Sequence, residues 1–187
     1  MGVTRAGLRS DLTFLSQLGL LEARPRVGYC YNEKRHGYDI YMKMIELTVR
    51  DYQSVPVVLN ESASAYDALV SLFMNNIGTI FIVRDDAVLE GVLSRKDLLK
   101  LAIGATDMHL VPVGVVMTRM PNIIMTTQDE SIWMAARKLI VHEIDGLPVV
   151  RKNSRNEYEI VGRFTKTNVA RAFVDIGYGH RGEENNE

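Results

Sequence analysis

Gly91-Val92-Leu93-Ser94-Arg95-Lys96-Asp97 and Gly162-Arg163-Phe164-Thr165-Lys166-Thr167-Asn168 are two versions of one signature. In each, a strand leads into a hydroxyl residue, two positions intervene, and a short polar residue follows in the first helical turn. A hydroxyl beside the free N–H groups of a helix N-terminus makes an anion site. A carboxylate or amide one turn on can hydrogen-bond the adjacent hydroxyls of a ribose. The same residues also read as plain N-caps, with Asp97 and Asn168 completing capping boxes. The spacing fits both readings equally.

Working outward, each signature closes a longer repeat. The first copy reads Val55–Val58, helix Ala65–Met74, strand Gly78–Val83, hairpin, strand Leu89–Leu93 and helix Lys96–Ile103. The second reads Pro121–Ile124, helix Ile132–His142, strand Gly146–Val150, hairpin, strand Glu159–Phe164 and helix Thr167–Ile176. Gly78 aligns with Gly146 at an offset of 68 and Gly91 with Gly162 at 71, the three extra residues falling in the second hairpin. The expected fold is therefore α/β (α+β), two βαββα units packed sheet face to sheet face about a pseudo-twofold axis. The expected divisions are 51–110 and 111–176 for the two repeats, with a disordered polar tail over 177–187.

Ahead of the repeats, residues 4–18 read as an amphipathic helix. Thr4 caps it, Leu8, Leu12, Leu15 and Leu18 share a face, and Gly19 ends it. Leu20–Glu22 and Val27–Tyr31 read as two short strands around the basic turn Arg24-Pro25-Arg26. These fall in a segment 1–36, followed by a linker over 37–50 carried by an amphipathic helix Asp39–Val49.

The composition limits the partners. Lys plus Arg is 22 and Asp plus Glu is 23, so the whole chain is not a nucleic-acid coat. Residues 1–36 nevertheless carry a net +3 and the remainder −4, which points to two parts with different partners. The single cysteine, Cys30, excludes an internal disulfide. No signal peptide and no apolar run of membrane-spanning length is present, so a cytoplasmic protein without membrane contact is expected. The four histidines lack metal-ligand spacing, and there is no phosphate-binding loop, dinucleotide fingerprint or nucleophile elbow. No catalytic constellation, metal site or cofactor is expected. Trp133 reads as core or dimer interface rather than as a stacking platform.

A βαββα repeat ending in G-h-h-[ST]-x-x-[DN], with Val116-Met117-Thr118 and Leu147-Pro148-Val149-Val150, resembles a tandem CBS-domain pair, or Bateman module. The resemblance covers about 125 residues. It implies an adenine nucleotide, or a related metabolite, bound between the repeats as a regulatory ligand. Asp97 and Asn168 would then take ribose, Ser94 and Thr165 would approach phosphate, and Val55, Val57, Asn122 and Ile123 would flank the adenine. Asn168 departs from the more usual Asp. Phosphate charge is expected to meet Arg119, Arg95, Lys96 or Lys166, with Arg119 preferred, while Asp145 would repel it.

The N-terminal segment resembles the recognition helix and wing of a winged helix-turn-helix. That resemblance implies that Arg5, Arg9 and Ser10 face the major groove and that Arg24 and Arg26 reach phosphate. Together the two parts are similar to the repressors of gluconeogenic genes in Gram-positive bacteria, regulators of carbon metabolism in which a CBS pair controls a DNA reader. Only Met1-Gly2-Val3 precede Thr4, so an incomplete reader that binds DNA weakly or not at all is the expectation. A homodimer follows from the two half-sites such readers address. The alternative is a CBS-pair protein regulating an enzyme or transporter in trans without DNA, and a third is a structural dimerisation module with an empty cleft.

Overall fold

The computed structural model describes residues 5–17, 20–32, 42–84, 87–104 and 106–184, the side chains of 5–7, 10, 17 and 178–184 excepted. The chain divides into two compact units, 1–44 and 45–187. In the first, α1 spans Arg5–Gln17, and β1 (Leu21–Arg24) pairs antiparallel with β2 (Gly28–Tyr31). The turn between them needs left-handed backbone at Arg26 (φ 67°) and at Gly28 (φ 105°), which is inexpensive only for the glycine. Leu20 N–H donates to the Leu15 carbonyl at 2.9 Å, closing the end of the helix onto the hairpin. Leu12 and Leu15 are half-buried and Leu8 is exposed, and no described residue of this unit is fully buried. Gly19, expected to cap the helix, lies outside the described residues.

Helical residues 42–46 form α2, and the linker helix expected over Asp39–Val49 does not continue through it. Residues 39–41 lie outside the described residues. The chain breaks at Leu47 because Thr48 caps a new helix, α3 (Val49–Tyr52). Thr48 N–H and Oγ1–H both donate to Asp51 Oδ2 at 2.8 Å.

The second unit is built from two copies of one motif. The first runs β3 (Val58–Asn60), α4 (Ala65–Met74), β4 (Thr79–Arg84), β5 (Val88–Ser94) and α5 (Arg95–Ile103). A connector, α6 (Val113–Val116) and β6 (Thr118–Arg119), leads to α7 (Ile132–Val141), β7 (Gly146–Lys152), β8 (Tyr158–Thr165) and α8 (Lys166–Glu184). The strands join into one sheet of order β3-β4-β5-β8-β7, with β6 on β5; β5 and β8 meet at Val88 and Glu159. Phe81, Leu89, Ile123, Val150 and Ile160 form the apolar seam shared by both copies.

Four sequence expectations are corrected. The copies align at an offset of 67, not 68, before the hairpins. Thr79 pairs with Ser94 as Gly146 pairs with Thr165, and Asn76 and Glu143 share a left-handed backbone. Glycine at 78 and 146 is thus a coincidence of composition. The first strand begins at Val58, beyond Pro56, which has no N–H to give a ladder. Its expected counterpart Pro121–Ile124 is not a strand: Asn122 N–H turns back to the Arg119 carbonyl, and pairing resumes at Thr126 against Val149. The tail is helical to Glu184, because Gly177 and Gly179 weaken a helix without stopping it.

Across the expected boundaries at 50/51 and 110/111, the copies exchange their leading segments. Val49 is fully buried in the second copy's core with Ile132, Leu139 and Phe164. Val113 and Met117 lie in the first copy's core with Ala65, Leu72 and Ile80. Thr48 bridges Ser131 and Ser64 bridges Pro112, the same contact made twice. The paired signature glycines serve this exchange. A Cβ on Gly91 would stand 2.0 Å from Met117 Sδ, and one on Gly162 would stand 2.4 Å from Gln53 Oε1.

Candidate functional site

Between the two copies lie two adjoining clefts, related by the pseudo-twofold and sharing Thr79, Asp145 and Gly146. The first, about 260 Å³, collects Ser94, Lys96, Asp97, Asn122 and Ile123. The second, about 350 Å³, collects Thr165, Lys166 and Asn168. Eight of the sequence candidates therefore come together as two sets on opposite sides of a common floor.

In the first cleft Ser94 caps α5. Its N–H and hydroxyl donate to Asp97 Oδ2 at 3.0 and 2.6 Å, and its Oγ accepts from Asp97 N–H at 3.3 Å. The capping box is thus real, but it uses only one carboxylate oxygen. Oδ1 makes no hydrogen bond among the described residues and has only a long ion pair, to Lys100 Nζ at 3.8 Å. A capped carboxylate with a free oxygen faces a wall of Ile123, Ile144 and Pro148. Such a wall suits a flat apolar ring, and such an oxygen suits a hydroxyl donor.

The second cleft has the same frame and different chemistry. Asn168 is buried, and both halves of its amide are spent. Oδ1 accepts from Thr165 N–H at 2.8 Å and from Thr165 Oγ1 at 2.6 Å. Nδ2 donates to the Tyr52 carbonyl at 2.7 Å and to Ser54 Oγ at 3.0 Å. The role of ribose ligand expected for Asn168 meets this obstacle: its bonds already hold α3 and the following Ser54 against α8.

Three further candidates are displaced. Arg119 faces neither cleft; it pairs with Glu61 at 3.4 Å and donates to the Gly114 carbonyl at 2.8 Å, over a separate shallow groove. Val55 is 82% exposed, and Val57 packs on the first copy's core. Neither flanks a cleft, and Ser54 of the same segment lines the second cleft instead. Asp145 does line both clefts, but its charge is already met by Lys166 Nζ at 2.7 Å. That hydrogen bond holds its carboxyl below the usual range, with Lys96 and Arg95 adding to the effect.

Sequence reasoning missed Arg163 and Arg171, which line the second cleft. The signal was available: in the aligned signatures Arg163 replaces Val92 on the strand face that carries the hydroxyl residue. Burial lowers the Arg163 guanidinium from its usual value, though it stays cationic.

Of the residues read as DNA contacts, Arg9 and Arg26 are exposed, and Arg24 pairs with Glu22 at 3.1 Å. Arg5 and Ser10 sit on α1, with side chains outside the described residues. Among the described residues no group of His, Cys, Asp and Glu could hold a metal. None of their helices is long and apolar enough to cross a membrane.

A family model described as the CBS domain matches residues 49–104 and 113–175. The transcriptional repressor CcpN of Bacillus subtilis is 46% identical over 176 residues, covering 94% of this chain and 82% of that protein. A homoserine O-acetyltransferase of Methanosalsum zhilinae is 30% identical over 110 residues, only 21% of that enzyme. Among solved structures, the CBS domain pair of protein MJ0100, in complex with 5′-methylthioadenosine and S-adenosyl-L-methionine, superposes with a TM-score of 0.59. It is 26% identical and covers 68% of this chain and 96% of that one. CBSX2 in complex with AMP gives 0.57 at 30% identity, over 70% and 98%.

Proposed function

Because the chain belongs to the CBS-domain family, we propose that it is a ligand-sensing transcriptional repressor whose CBS pair binds an adenine nucleotide or related metabolite and so controls a winged-helix DNA reader. The observation that carries the reading is the free Oδ1 of Asp97, held by the Ser94 cap beside an apolar wall. It supplies an acceptor for a ribose hydroxyl and a slot for adenine. The adenosine-type ligands in the MJ0100 and CBSX2 structures and the repressor relative support it. The helix α1, with exposed Arg9, and the hairpin with exposed Arg26 would face DNA. The protein regulates rather than catalyses in this reading, and the genes it serves would be those of carbon metabolism and gluconeogenesis, as in the family it resembles.

A homodimer would present two readers to two half-sites. Phe73 and Met74 at the end of α4 are 83% and 78% exposed, and Ile140 on α7 is 69% exposed, apolar surface that a second copy would cover.

The test is a melting experiment coupled to DNA retardation. Adenosine nucleotides should raise the Tm of the protein and not that of Asp97→Ala. The same nucleotides should change the retardation of promoter fragments from gluconeogenic genes. Stabilisation by nucleotide, with retardation that is present and insensitive to the ligand, would instead favour regulation of a protein in trans.

A further inference from the structure

The two clefts share a backbone and differ in charge. Val92 of the first is matched by Arg163 in the second, Lys100 by Arg171, and Asp97 with its free oxygen by Asn168 with none. Arg163 Nε is buried and has no partner among the described residues. Arg95 lies across the backbone at Gly78, where a Cβ would stand 3.1 Å from its guanidinium. Like Arg163 and Arg171, it joins no ion pair among the described residues. Asp145, the carboxylate among the described lining residues, is taken by Lys166. Three guanidiniums thus line one concavity whose one described carboxylate is already hydrogen-bonded to a lysine.

We propose that the second cleft is an oligophosphate site, in which Arg95, Arg163 and Arg171 hold two or more linked phosphoryl groups, and that Asn168 closes it to ribose. Guanidiniums fork onto phosphate oxygens, and their N–H groups are oriented where a lone ammonium is not. Asn168 cannot serve a ribose diol unless it releases Tyr52 or Thr165, so this cleft selects on charge alone. Because Thr79 and Gly146 floor both clefts, the phosphates can come from two sources. They are either a free oligophosphate or the tail of a nucleotide whose nucleoside sits against Asp97. The inference builds on the nucleoside reading of the Asp97 cleft, and its test separates the two.

The experiment is calorimetric titration of the full chain with inorganic pyrophosphate, adenosine, and adenosine mono-, di- and triphosphate. Wild type is compared with Asp97→Ala, with the double variant Arg163→Gln/Arg171→Gln, and with a charge-matched control, Lys152→Gln/Arg155→Gln. For a free oligophosphate, pyrophosphate binds wild type and Asp97→Ala alike and weakens at least about tenfold in the cleft double variant but not in the control. For a nucleotide tail, affinity climbs from adenosine to the triphosphate in wild type, and the climb disappears in the cleft double variant while adenosine binding is kept. Either result upholds the site. It is overturned if pyrophosphate binding and the climb are the same in the cleft variant as in the control, or if wild type shows neither. Should the double variant melt early, Arg95→Gln and Arg171→Gln, at exposed positions, must each show the loss. Failure of the Asp97 reading would register separately, as adenosine binding that Asp97→Ala leaves intact.

Discussion

Asn168 donates an amide hydrogen to the carbonyl oxygen of Tyr52, 2.7 Å away and 116 residues earlier in the chain. Through that bond, and a second to Ser54, the last helix of the second copy holds the leading segment of the first. Asp97, at the matching position, makes no such bond and keeps an oxygen free. One repeated motif has therefore become a fastening on one side and an acceptor on the other.

Asn168→Ala would strand the Tyr52 carbonyl and remove the cap partner of Thr165. A loss of about 1–3 kcal/mol is expected, as for a buried polar group left without its partner, with nucleoside affinity at the Asp97 cleft unchanged. Denaturant melts alongside adenosine titration check it; a stable variant with weakened adenosine binding would reverse the assignment of roles.

Gly91→Ala should destabilise by about 1–3 kcal/mol, the range for overpacking a core, because its new methyl meets Met117 Sδ. In a Met117→Ala background the same change should cost much less. A double-mutant cycle measures the coupling, and simple additivity would contradict the exchange of leading segments.

Val49→Ala removes buried methyls from the second copy's core although Val49 precedes the first copy in sequence. Hydrogen exchange should accelerate in α7, β7 and β8 before it does in α4 and β4. The opposite order would mean that the segment packs with its sequence neighbours.

Among the described residues three aspartates are held below the usual carboxylate range: Asp51 by Thr48, Asp67 by Ser64, and Asp145 by Lys166. A depressed folded-state pKa adds stability above the unfolded value, and that stability disappears as pH falls through the depressed one. The stabilisation relative to Asp51→Asn, Asp67→Asn and Asp145→Asn should accordingly be full at neutral pH and fade below about pH 4. Melting each pair from pH 7 to pH 3 measures it, and a gap that widens in acid would contradict the sign.

Much of this architecture was legible in the chain. The Ser94 cap and the doubled signature mark the repeat, its closing helices and residues that line the first cleft. The local reading failed where a segment's partner lies far along the chain. The linker helix broke at Leu47 because Val49 is buried in the second copy, and Ser54 rather than Val55 lines the second cleft. Arg119 stays away from both clefts because Glu61 and the Gly114 carbonyl hold it.

The amino-acid sequence by itself determined the number of copies, their principal helices and hairpin strands and the position of Asp97, because propensity, periodicity and capping act within a few residues. Only the tertiary structure decided which copy each leading segment completes, that the amide of Asn168 is already spent, and that Arg95, Arg163 and Arg171 line one cleft. Those facts depend on contacts between residues as much as 116 positions apart, where no local pattern reaches and only packing brings the groups together.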